Sequence, residues 1–177
     1  EKVAKDVKVA HTFLARQPKL PALVRMLRLH QWVKNLVVFV PLVAAHKIFE
    51  WQLLGKCIGA FFAFCLCAAA NYLLNDLLDL DADRQHATKK HRPFAAGDLP
   101  LQLGVVLAPI AAFLGLGLGA VIDTGLLLAV ALYLGLSFVY SSSLKQVALL
   151  DAFVLAGLYM FLRVCGDETD GLLVMNL

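Results

Sequence analysis

Long apolar runs alternate along the chain with short, densely charged breaks, and that alternation predicts the elements. Apolar runs cover about Trp32 to Ala45, Cys57 to Leu74, Leu99 to Ile122, Gly125 to Tyr140 and Val147 to Leu162. The second is long enough for a helix to cross roughly 30 Å of hydrocarbon, and the others are read as spans beside it. Pro41 is expected to kink the first. The third tolerates Pro109 and carries Gly115, Gly117 and Gly119, small residues that let helices approach closely in a bilayer. Asp123-Thr124 is a short turn into the fourth run, and residues 141–145 form a loop into the fifth.

One polar stretch breaks this pattern in an ordered way. Four carboxylates fall within the eight residues from Asp76 to Asp83, directly after the second apolar run and before a basic loop. At about 100° per residue, Asp76, Asp79 and Asp83 share one narrow helical stripe, with Tyr72 a turn above and Asp81 nearly opposite. Aligned carboxylates repel one another unless protons or a cation intervene. A solvated helix end is the ordinary reading of a charge run, but it does not require its acids on one stripe. Oxygen-only ligands favour Mg²⁺, with Mn²⁺ as an alternative, and Mg²⁺ commonly bridges carboxylates to substrate phosphates. A phosphate-bearing substrate held through a metal at a membrane surface is the expectation.

Composition agrees with the pattern. The 177 residues are 60% hydrophobic and 16% charged, with a mean hydropathy of +0.76, against the 45–50% apolar content usual for soluble domains. The net charge of +3 belongs to the loops. No basic helix with interleaved aromatics is present, so nucleic-acid binding is not expected. Cys57, Cys65, Cys67 and Cys165 form no Cys-x-x-Cys pair and read as small buried hydrophobes. Residues 1–29, with Lys2, Lys5, Lys8, Arg16, Lys19, Arg25 and Arg28, read as a basic linker and a short amphipathic approach to the membrane. The chain opens on Glu1 and is read as a piece of a longer protein.

Charge asymmetry orients the spans. Bases crowd the segment before the first span, the loop after the second (Arg84, Lys89, Lys90, Arg92) and the loop after the fourth (Lys145), whereas the opposite side holds only Lys47 and Lys56. The positive-inside rule then puts the acidic stripe and both basic loops on the cytoplasmic face, in an inner or plasma membrane. One site can draw on both loops. Asn75 is a candidate neutral ligand or orienting group. Lys89, Lys90 and Arg92 are candidate phosphate clamps, Arg92 favoured because Pro93 fixes its exit from the loop. Topology alone would also put bases there. Lys34 and Asn35 interrupt the start of the first span, which suggests function or snorkelling. Tyr140, Lys145, Asp151 and Arg163 form a second polar set, in which Asp151 needs a metal or a base as partner.

The pattern Asn75-Asp76-x-x-Asp79-x-x-x-Asp83, following a span and preceding a basic loop, resembles the first Asp-rich motif of the UbiA-type intramembrane prenyltransferases. Three further pieces resemble the decaprenyl-phosphate phosphoribosyltransferase-like branch: His30-Gln31-Trp32-Val33-Lys34-Asn35, the loop from Asp83 through Arg84 to Arg92-Pro93, and Leu144-Lys145. The resemblance covers about Arg25 to Gly166. It implies an all-α multi-span bundle, Mg²⁺ held by Asp76, Asp79 and Asp83, and the Lys/Arg loop and Lys145 near substrate phosphates; the other polar residues named above remain candidate substrate-binding groups. It further implies transfer of phosphoribose from phosphoribosyl diphosphate to a polyprenyl phosphate. Two departures bear on this. Many family members carry a second Asp-x-x-x-Asp motif, whereas here Asp151 is followed by Leu155, which argues against an ordinary aromatic prenyltransferase. The family fold has nine membrane helices and about five are present, so residues 30–166 are read as its N-terminal part and 167–177 as an atypical tail. The rivals are prenyl transfer to an aromatic or other small acceptor, and a truncated bundle that binds cations or lipid without turnover.

Overall fold

The computed structural model describes residues 20–143, with side chains from 21 to 138. The expected fifth span, Lys145, Asp151, Arg163 and the tail lie outside the described residues, as does the side chain of Tyr140. The described chain is all helical: α1 (Leu20–Met26), α2 (Leu29–Trp32), α3 (Val40–Ala44), α4 (Trp51–Leu78), α5 (Leu80–Gln85), α6 (Leu101–Ile122) and α7 (Thr124–Ser143). Two of these, α4 and α6, are long and apolar enough to cross a membrane.

Helices α4 and α6 run antiparallel and share the most extensive interface. Their approach is close because Gly115 lacks a side chain: a Cβ there would lie 2.6 Å from Cys67 Sγ and 2.9 Å from the Ala63 carbonyl oxygen. Gly119, one turn on, faces the Leu127 backbone of α7 instead. The two glycines of this spacing therefore serve two different neighbours. The α6–α7 turn is held by Asp123, whose Oδ2 accepts the backbone N–H groups of Gly125 (2.9 Å) and Leu126 (3.2 Å), capping the exposed donors of the new helix. Helix α7 then runs parallel to α4, where Phe64 and Tyr133 meet edge to face with centroids 5.5 Å apart. Large apolar side chains point outward around this bundle, with Phe113 75% and Val121 85% exposed. Water would penalise such a surface and hydrocarbon does not.

The first apolar run is not the single kinked span that its pattern predicts. It consists of α2, a 3₁₀ stretch over Val33–Phe39, and α3. Pro41 explains the break: it has no N–H for the Val37 carbonyl, which is taken by the Val40 N–H instead. A 3₁₀ turn rises about 2.0 Å per residue against 1.5 Å in an α-helix, so these sixteen residues reach about 27 Å along their path. This composite descends beside α4, with Asn35 Nδ2 donating to Cys65 Sγ (3.1 Å) and Phe39 meeting Phe61 at 5.9 Å. The end of the lead-in also folds. Helix α1 buries Ala22 and Met26 in a small cluster with Leu73, Phe94, Leu99 and Ala108. That cluster gathers α1, the end of α4 and the start of α6 at one end of the bundle.

Candidate active site

Two buried carboxylates are the centre of that end. Asp76 lies in the last turn of α4 and is 3% exposed; Asp83 lies in α5 and is 1% exposed. Asp79 is the joint between them, with φ −91° and ψ 14°, and the i→i−4 bonds Asp79 N–H to Asn75 O (2.9 Å) and Asp83 N–H to Asp79 O (2.8 Å) carry the helical path through it. Burying two ionised carboxylates is costly unless cations accompany them. Two guanidinium groups do so. Arg28 Nη2 donates to Asp76 Oδ1 at 2.5 Å. Arg92 Nη1 donates to the same Asp76 Oδ1 at 3.1 Å and to Asp83 Oδ2 at 2.6 Å, so a single nitrogen bridges both acids.

Each arginine is placed by its own local structure. Arg28 turns the chain between α1 and α2 in the left-handed region, φ 49° and ψ 46°. That conformation costs a residue with a Cβ about 1–2 kcal/mol. The Asp76 contact and the Tyr72 ring, 4.9 Å from the guanidinium carbon, offset it. Arg92 follows a 3₁₀ turn over Lys89–His91, which His86 Nδ1 caps by accepting the Thr88 and Lys89 N–H groups. Behind it Pro93 and Phe94 are buried, and the Pro93 carbonyl accepts the N–H groups of Asp98 (2.9 Å) and Leu99 (3.3 Å). Phe94 fits against Leu77 only because residue 104 is glycine: a Cβ there would lie 2.7 Å from Phe94 Cζ. The loop is thus pinned one and two residues beyond Arg92. Arg25 ties α1 to the same loop through Asp98 (3.2 Å).

These groups border a polar cavity of ≈ 320 Å³ whose walls include Arg25, Arg28, His30, His91, Arg92 and Asp76. On the bundle side of the same helix end lies an apolar cavity of ≈ 450 Å³ between α4, α6 and α7, lined by Asn71, Leu74, Pro109, Leu134 and Phe138 among others. Asn71 Nδ2 is buried there with no hydrogen-bond partner among the described residues.

Of the residues singled out in the sequence, the structure brings Asp76, Asp83 and Arg92 into one contact group. Asn75 is half-buried beside Asp76, and Asp79 is half-buried with no ion pair among the described residues. Lys89 and Lys90 are exposed on the loop, away from the cavity wall, and Arg84 is exposed and pairs with Asp81 at 3.6 Å. Lys34 is exposed, and Asn35 sits at the level of Cys65, eleven residues and about 16 Å along α4 from Asp76. Sequence reasoning passes over Arg28, Phe94 and Asn71. The available signal is position: Arg28 stands two residues before His30-Gln31-Trp32, at the membrane entry, and Asn71 one turn before Asn75.

The model of the UbiA prenyltransferase family matches residues 36–166. This chain belongs to that family. Among curated relatives, it is 39% identical over 146 residues to the uncharacterised protein y4nM of Sinorhizobium fredii, covering 82% of this chain and 28% of that protein. The decaprenyl-phosphate phosphoribosyltransferases of Corynebacterium glutamicum and Mycolicibacterium smegmatis are 36% and 34% identical over 154 and 148 residues. Those alignments cover 85% and 81% of this chain and 46% of each relative. The chain therefore spans less than half the length of these relatives. UbiA-family proteins generally depend on a divalent metal. The donor chemistry here fits one: the acids of the stretch offer only oxygen, and Asp83 Oδ1 is buried without a hydrogen-bond partner among the described residues. Their arrangement is not yet a metal site, since among the described residues no three His, Cys, Asp or Glu side chains converge to hold an ion.

Proposed function

We propose that the complete protein transfers phosphoribose from phosphoribosyl diphosphate to a polyprenyl phosphate in a Mg²⁺-dependent reaction at the cytoplasmic face of the membrane. The observation that carries this is the buried Asp76–Arg92–Asp83 group, with Arg28, at the mouth of a bundle whose outer surface is apolar. In the transfer, a lipid phosphate oxygen forms a bond to the anomeric carbon of the sugar as the bond from that carbon to diphosphate breaks. Diphosphate leaves with the bonding electron pair. Asp76, Asp79 and Asp83 would hold the divalent metal, which would stabilise negative charge on the departing diphosphate. Arg28 and Arg92 orient phosphate oxygens, Arg through its planar fork of donors. Tyr72 holds the Arg28 guanidinium in place. The apolar cavity beside Asn71 suits the first isoprene units of a lipid tail, with the phosphate end toward Asp76. Two named decaprenyl-phosphate phosphoribosyltransferases that align with most of this chain support the choice of donor. Lys145, Asp151 and Arg163, which lie outside the described residues, belong to the substrate-binding set in this reading, Asp151 by way of a metal or a base.

The test uses the complete protein in lipid and follows diphosphate release from phosphoribosyl diphosphate with and without polyprenyl phosphate. Release that requires both Mg²⁺ and the lipid is the expected result. Turnover of an isoprenyl diphosphate in place of phosphoribosyl diphosphate would move the protein to prenyl transfer. Inactivity with both would leave a bundle that binds cations or lipid.

A further inference from the structure

We infer that Arg92 is an exchangeable counter-ion: it holds the Asp76–Asp83 pair when no metal is bound, and a divalent cation expels its guanidinium into the polar cavity, where it meets phosphate. The inference rests on the proposed metal-dependent function and concerns the order of events at that site.

The geometry favours the exchange. Arg92 Nη1 stands within 2.6 Å of Asp83 Oδ2 and 3.1 Å of Asp76 Oδ1. A Mg²⁺ ion bridging Asp76 Oδ1 and Asp83 Oδ2 would need both oxygens at about 2.0–2.1 Å, in the space that nitrogen fills. Nitrogen and metal cannot share it. Only Asp76 and Asp83 converge among the described residues, with no third acid beside them, and Asp83 Oδ1 is buried and takes no hydrogen bond there. A guanidinium with one charge satisfies one oxygen of Asp83 and leaves the other idle. A divalent ion with several coordination positions has use for both.

Arg92 is the arginine that moves, not Arg28. Arg28 is fixed at a left-handed turn and packs on the Tyr72 ring. The Arg92 backbone, by contrast, is extended (φ −63°, ψ 145°) just past a single 3₁₀ turn, and the anchoring side chain belongs to Phe94, two residues on. Its side chain can therefore swing without unseating the loop. The polar cavity into which it would swing already lies against it and is walled by Arg25, Arg28, His30 and His91. Displacement of the internal cation by the metal converts a neutralising contact into a free phosphate clamp beside the two other arginines of that wall, Arg25 and Arg28. Phosphate binding is thereby made conditional on metal binding.

Residue-resolved arginine modification with phenylglyoxal, read by mass spectrometry on the unaltered complete protein, tests this without turnover. Mn²⁺ binding is followed in parallel by electron paramagnetic resonance. Addition of Mg²⁺ or Mn²⁺ alone is expected to raise Arg92 modification several-fold, with Arg28 and the exposed Arg25 unchanged. Adding inorganic diphosphate with the metal is expected to reverse the rise. Arg92→Gln is expected to bind Mn²⁺ several-fold more tightly, while Lys89→Gln, which removes the same charge from the same loop outside the bridge, shifts affinity little. Bound metal with unchanged Arg92 reactivity, or equal affinity shifts in the two variants, overturns the exchange and leaves the transfer reading standing. No bound metal at all overturns the metal-dependent reading on which the exchange rests.

Discussion

The charge balance at the site depends on which carboxylates are already neutralised. Asp76 and Asp83 are buried and share guanidinium partners, whereas Asp79 is half-buried and has none among the described residues. The two kinds of acid are expected to respond differently to the same substitution. Asp83→Asn removes one side of a buried ion pair and leaves Arg92 partly unmatched, which costs about 3 kcal/mol in the absence of metal. Asp79→Asn is expected to leave metal-free stability within about 0.5 kcal/mol, yet to weaken Mg²⁺-dependent diphosphate binding at least tenfold. Thermal melting in EDTA together with Mn²⁺ titration checks both. Equal losses of stability would show that Asp79 is as much a structural residue as Asp83. Arg28→Leu is expected to reduce diphosphate affinity by tenfold or more, since it removes a cation placed against Asp76 and Tyr72. Binding of inorganic diphosphate in the presence of Mg²⁺ measures it, and Arg28→Lys, which retains charge without the stacking plane, is expected to recover only part.

Among the helices and the loops that join them, the site depends on two close approaches. The basic loop is anchored by Phe94 against the end of α4 and the start of α6, with Gly104 leaving room for the ring. Phe94→Ala is expected to cost about 3–5 kcal/mol by opening a cavity. It should also slacken Arg92, which would appear as faster phenylglyoxal modification of Arg92 before any metal is added. A loss of stability with Arg92 reactivity unchanged would show that the arginine is held by its ion pairs alone. The second approach is that of α4 and α6 at Gly115. Gly115→Leu puts a side chain where Cys67 Sγ and the Ala63 carbonyl already sit, and neither backbone can retreat cheaply. Lower yield of folded protein and a lower melting temperature than the parent are expected. By contrast Gly117, where a Cβ would meet open space, is expected to accept alanine with little change.

For the whole molecule the question is how the bundle sits in the bilayer. Helix α4 rises to the acids, α6 descends and α7 returns, so the basic loop and the end of α7 share one face. The excess of Lys and Arg in the segments at that face predicts that it is cytoplasmic. A cysteine introduced at Thr88, in the exposed part of the loop, is expected to react with a membrane-impermeant thiol reagent only from the cytoplasmic side. Labelling of intact cells from outside would reverse the orientation. The native Cys57, Cys65 and Cys67 are buried and should not compete for the reagent.

The class of the protein, the existence of its long helices and the register of its acids are all legible in the amino-acid order. Those features follow from local periodicity and from the length of an apolar run, which hydrocarbon makes decisive because no water is present to satisfy a broken backbone. The short turn at Asp123 is legible for the same local reason. The partners of the charged groups are not. Arg28 is one of seven bases in a lead-in; the turn it makes and the descent of the first run beside α4 bring it to Asp76, 48 residues away along the chain. Pro41 reads as a bend in a helix, and the carbonyl it leaves free is instead absorbed by a 3₁₀ stretch. The three acids share a stripe in sequence, yet a guanidinium takes two of them and leaves the third. Which charge meets which is set by how long-range packing closes around the helix end, and no local pattern encodes that.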